Sequence, residues 1–147
     1  MGLETKYIQD KSLIFNEGFQ SEINTRRLGG DITGGSFQNG VYTCDTEIEE
    51  GIYYDVNGVV KSQRLVLTLE TVTGITPIIT LYYTDGSAAY VYQTNDNKFL
   101  TRGVDNIYLN GQLFDLTGTF DLDVEQEIII NFTADKNVKG IELGDAP

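Results

Sequence analysis

The sequence predicts an all-β domain, an antiparallel two-sheet β-sandwich with few or no helices. Three observations carry that expectation. Apolar and polar residues alternate at period 2 in one segment after another. Short Gly-containing turn dipeptides separate these segments. No stretch of about twelve residues keeps the 3.6-residue apolar period of a helix.

The opening of the chain is its least regular part. Residues 1–35 read as an N-terminal arm or long loop, packed on or extending from the same domain, and residues 36–147 read as the sandwich core. Within the arm, Leu13-Ile14-Phe15 is a candidate short strand. The run from Arg26 to Gly35 carries two glycine pairs, a mark of bends. It lacks the lysine and the spacing of a phosphate-binding loop.

From Ser36 onward, strand follows strand. Ser36 to Asp45 reads as one strand, with Cys44 in it as a small buried hydrophobe. Ile52 to Val60 reads as two runs about an Asn57-Gly58 turn. Asn-Gly suits a type I′ turn because both central residues need positive φ. In the longest strand Leu65, Leu67 and Leu69 share one face and Val66, Thr68 and Glu70 the other. Pro77 falls in a turn-rich stretch before the next strand, where Ile79, Leu81 and Tyr83 oppose Thr80, Tyr82 and Thr84. Asp85-Gly86 joins that strand to Ala88-Ala89-Tyr90-Val91-Tyr92. Asn110-Gly111 marks a further hairpin, and Ile128, Ile130 and Phe132 line one face of a late strand. Roughly nine or ten strands at this spacing fit a sandwich rather than βαβ units.

Composition narrows the function. At 147 residues one core can bury enough apolar surface without disulfides or metal. Asp and Glu number 22 against 10 Lys and Arg, a net charge of −12. That charge argues against nucleic acid, whose binding rests on neutralising phosphates, and against an anionic membrane surface. Histidine is absent, which removes the commonest general base and transition-metal ligand. The single cysteine has no partner for an internal disulfide and no neighbouring base to activate it. No basic segment followed by an apolar core opens the sequence, so it predicts no secretory signal and synthesis in a cytoplasm.

The stretch Ser62 to Gly86 resembles a recurrent hairpin of jelly-roll sandwiches. A long alternating strand leads through Gly74-Ile75-Thr76-Pro77 to a strand that ends in aromatics and Asp85-Gly86. The closing segments, Ile128 to Thr133 and Val138 to Gly144, are similar to the last two strands of such folds. These folds include carbohydrate-binding modules and galactose-binding-like domains. The resemblance implies a jelly-roll sandwich of the binding-module kind. It also implies an aromatic sugar platform, because a flat ring packs against the C–H face of a pyranose. The chain has no tryptophan, so its nine tyrosines stand in. Tyr82 is the first candidate, and Tyr90 and Tyr92 form a second patch on one face.

Asp121, Asp123, Glu125 and Glu127 alternate, so an extended chain would point all four carboxylates one way. Asp121, Asp123 and Glu125 are the candidate ligands of a structural calcium ion, and no other cofactor is expected. Glu47, Glu49 and Glu50 make a second acidic cluster. Acid–base catalysis rests on histidine or on tuned carboxylates, and the sequence identifies neither. The expectation is therefore a non-enzymatic structural or interaction protein. Its partners would be other subunits of a larger assembly, most plausibly a bacteriophage virion in which it decorates the capsid or sits in a tail or fibre. The alternatives are a carbohydrate-binding module and residence in the cytoplasm.

Overall fold

A computed structural model describes Phe19 and residues 21–145. The candidate strand Leu13-Ile14-Phe15 lies outside these residues. One short α-helix, α1 (Glu22–Arg27), comes first among them. The Ser21 hydroxyl caps it by accepting from the Asn24 N–H at 3.1 Å. Twelve strands follow: β1 (Gly30–Thr33), β2 (Ser36–Gln38), β3 (Val41–Thr43), β4 (Gly51–Val59), β5 (Ser62–Thr68), β6 (Thr76–Tyr83), β7 (Ala88–Gln93), β8 (Phe99–Arg102), β9 (Val104–Leu109), β10 (Gln112–Leu113), β11 (Glu125–Phe132) and β12 (Asn137–Gly144). A 3₁₀ turn, Thr46–Ile48, links β3 to β4.

Two antiparallel sheets pack face to face, and the expected all-β sandwich is what the chain forms. The larger sheet runs β1-β4-β12-β6-β7-β8 and the smaller β10-β9-β11-β5. β4 pairs with β12 in the large sheet, and β5 pairs with β11 in the small one. The chain passes between sheets at Val60-Lys61 and again between β11 and β12. These four strands therefore form one long ribbon folded across both sheets. At its corner the Phe132 N–H donates to the Lys61 carbonyl at 2.8 Å. Beyond the ribbon, β6, β7 and β8 run as a meander. The chain then changes sheet at Gly103, whose φ of +67° and 2.9 Å clearance from Ala89 Cβ leave no room for a side chain.

The core lies between the sheets. Ile79, Leu81 and Val91 come from the large sheet and Ile107, Ile128 and Ile130 from the small one, all fully buried. The alternation read in β6 and β11 is thus the burial pattern, and Leu65 and Leu69 of the longest run join the same core. A second, aromatic cluster covers the far end of the large sheet, where Phe19, Phe37 and Tyr42 pack over Ile52 and Tyr54.

Several local expectations need correction. Ser36 to Asp45 is two short strands, β2 and β3, turned at Asn39-Gly40 into a separate two-stranded sheet. Asn57-Gly58 is no turn, because β4 runs straight through it. Two β4 residues, Val56 and Asn57, oppose only Lys139 of β12 there, so the dipeptide lies at a β-bulge. Pro77 is inside β6, also at a register shift, where its missing N–H breaks no regular ladder. The sheet starts before Ser36, since β1 is its edge strand.

Candidate functional site

The outward face of the large sheet carries the aromatic residues singled out in the sequence. One register row crosses all six strands: Asp31, Tyr53, Glu142, Thr80, Tyr90 and Arg102. Their strand neighbours Tyr54, Ile141, Ile79 and Val91 are core residues, so pleating turns the row away from the core. Tyr82 lies two residues from Thr80 and Tyr92 two from Tyr90, so both share this face. The two separate patches expected from sequence are one surface.

The rings form two contacting pairs on this face. Tyr90 and Tyr92 lie 4.3 Å apart, centroid to centroid, and Tyr53 and Tyr82 lie 6.0 Å apart. Gly140 of β12 makes room for this arrangement, because a Cβ there would run into the Tyr53 ring and hydroxyl. All four tyrosines are half-buried. Between Tyr53 and Tyr90 in the row, Glu142 and Thr80 are buried, at 5% and 4% exposure. The Tyr82 hydroxyl donates to Glu142 Oε1 at 2.6 Å.

The electrostatics keep the Tyr53, Tyr82 and Tyr92 hydroxyls neutral. Burial, then the Glu142 hydrogen bond and charge, push the Tyr82 phenol well above its ordinary value. Burial and the nearby Asp55 and Glu142 raise Tyr53, and burial with Tyr90 and Glu142 raises Tyr92. Half-buried phenol rings, tilted by 41° and 39° within their pairs, offer a ligand both apolar ring surface and hydroxyl groups. Sequence alternation located Tyr82, Tyr90 and Tyr92. It missed Tyr53 and Glu142, which reach the site only through the pairing of β4, β12 and β6.

The acidic segment is placed differently from its extended reading. β11 begins only at Glu125, and Asp123 sits in a bend with φ +60°. The Asp123 N–H donates to the Leu69 carbonyl at 2.9 Å, and the Gln126 side chain donates to the Asp121 carbonyl at 2.9 Å. Glu127 pairs with Arg64 at 2.7 Å. The single row of four carboxylates is therefore broken. Among the described residues, no group of three or more Asp, Glu, Cys or His side chains is placed to hold a metal ion. Cys44 is partly buried, and burial with Glu50 and Asp45 pushes its thiol up to about 11. It stays protonated at neutral pH and is a poor nucleophile.

Comparison with known proteins gives no further identification: no family model matches the chain, and no curated protein or solved structure matches it significantly.

Proposed function

We propose that the chain is a non-enzymatic recognition domain whose tyrosine face binds a glycan. One observation carries this reading. Tyr53, Tyr82, Tyr90 and Tyr92 lie on the same face of one sheet as two contacting ring pairs, with the buried Glu142 bonded to Tyr82. Aromatic faces stack on a pyranose, and Glu142 fixes the Tyr82 ring by accepting from its hydroxyl. The protonated Cys44 thiol and the absence of histidine favour binding over chemistry.

Glycan-array screening followed by Tyr82→Ala and Tyr92→Ala tests the reading. Each truncation removes a stacking contact of about 1 kcal/mol, roughly a fivefold loss of affinity. A chain that binds no glycan, or variants that bind as well as the parent, would refute it.

A second reading is favoured by a different observation. Among the described strands, β5 ends the small sheet with one edge unpaired, a surface natural proteins usually cover. On this reading the domain is an accessory subunit of a larger assembly, such as the particle of a bacteriophage. Persistence as a monomer with no retention on purified particles would count against it.

A further inference from the structure

Among the described strands, β5 pairs with β11 on one side only. The direction of its free backbone groups follows from two hydrogen-bond patterns. The Phe132 N–H donates to the Lys61 carbonyl, so odd-numbered residues of this run face β11. The Glu127 N–H and carbonyl are both engaged by Asn110, away from β5, although Glu127 stands opposite Val66. Hence Arg64, Val66 and Thr68 aim their N–H and carbonyl groups outward. Arg64 has its carbonyl capped by the Gln63 side chain at 3.1 Å. No described strand takes the others.

This edge opens onto a cleft of about 910 Å³ on the side of the large sheet opposite the tyrosine face. Its apolar lining includes Leu67, Ile78, Leu143 and Tyr42, and β3 forms the facing wall. Its charged lining residues are Asp45, Glu47, Glu50, Glu70 and Glu125, with no Lys or Arg among them. Some of these carboxylates accept local hydrogen bonds, Glu47 from Thr73 and Glu50 from the Asp45 N–H, but these donors are uncharged. The ion pairs among the described residues, Arg26–Glu22, Arg64–Glu127 and Lys136–Asp85, use none of these five carboxylates.

We infer that this cleft receives an extended cationic segment of a partner polypeptide, which adds as a strand to the β5 edge. The open backbone groups supply the ladder, the apolar floor takes alternate side chains, and the acidic rim selects lysine or arginine at the positions between. A second copy of the chain is a poor occupant, because pairing β5 with β5 would bring two acidic rims together on a molecule of charge −12. The inference gives the assembly reading a surface and a partner chemistry. It is independent of the tyrosine face.

The test is an NMR titration of the full chain with the capped heptapeptide Lys-Val-Lys-Val-Lys-Val-Lys and with its glutamate counterpart. The lysine peptide is expected to bind and to shift and protect the Val66 and Thr68 amides, while the glutamate peptide does neither. Glu70→Lys with Glu125→Lys, both at exposed positions, should weaken binding by about tenfold or more, and added salt should weaken it further. Tyr82→Ala should leave it unchanged, which separates this result from that of the glycan reading. The inference is overturned if both peptides bind equally, if the double variant binds as well as the parent, or if the shifts map away from β5. It is also overturned if the two amides are already protected in the free chain, or become so through self-association without peptide.

Discussion

Residue by residue, the tyrosine face depends on one glycine more than on any polar contact. Gly140 has no side chain, and the Tyr53 ring occupies the space a Cβ would need. Gly140→Ala would lift that ring away from Tyr82. Two effects on stability then oppose each other. The lost ring contact costs about 1 kcal/mol, and replacing a strand glycine returns roughly 0.5–1 kcal/mol of backbone entropy. The expected outcome is a melting temperature within about 3 °C of the parent and a clear loss of glycan affinity. A variant that melts normally and binds normally would remove Tyr53 from the site. The same residue shows why part of the site escaped the sequence. Alternation is local and placed Tyr82, Tyr90 and Tyr92 on outward faces. Tyr53 and Glu142 belong to strands far apart in the chain, and only the register of β4 on β12 and β12 on β6 unites them.

Among the elements, identical dipeptides have opposite fates. Asn110-Gly111 makes the turn between β9 and β10, with φ of 52° and 83°. Asn57-Gly58 stays inside β4. The difference is tertiary. β4 must run from Gly51 to Val59 to pair with β12 while Ile52 and Tyr54 fill the aromatic cluster, and that pairing outweighs a local turn preference. Turn chemistry was legible at Asn110-Gly111, whereas the same dipeptide at Asn39-Gly40 turns inside a run that read as one strand. The sandwich itself was legible because β6 and β11 bury one face each. Two glycines with open surroundings isolate the backbone effect. A Cβ at Gly111 or at Gly74 would touch nothing within 4 Å, but only Gly111 has left-handed φ. Gly111→Ala should lower stability by about 1–2 kcal/mol through strain alone, roughly 3–6 °C in melting temperature. Gly74→Ala should instead raise it by about 0.5 kcal/mol by restricting the unfolded chain. Thermal melts of the two variants measure both signs, and a fall of equal size in both would show that sterics rather than φ decides.

At the scale of the whole molecule, the titrating groups split into two sets with an empty interval between them. On the acid side, Thr73 lowers Glu47, Lys136 and Ser87 lower Asp85, Thr94 lowers Asp96 and Thr117 lowers Asp115. A depressed carboxyl stabilises the fold above its ordinary value near 4, and that contribution is lost as pH falls through the folded value. On the alkaline side, burial raises the phenols of Tyr42, Tyr53, Tyr82, Tyr83 and Tyr92 and the thiol of Cys44. A raised acid of this kind stabilises the fold below its unfolded value, near 9 for the thiol and near 10 for the phenols. That stability is lost as pH rises toward the folded values, because the unfolded chain releases its protons first. With no histidine, no side chain of ordinary pKa changes charge in between. The melting temperature should therefore stay level from about pH 5 to about pH 8 and fall on both sides. Tyr42→Phe and Tyr82→Phe should each flatten the alkaline fall without altering the acid one. The Tyr82 change reports burial and the Glu142 contact, and the Tyr42 change reports burial beside Cys44 and Glu50. A slope of several degrees within the middle range would show that a side chain with a strongly displaced pKa titrates there.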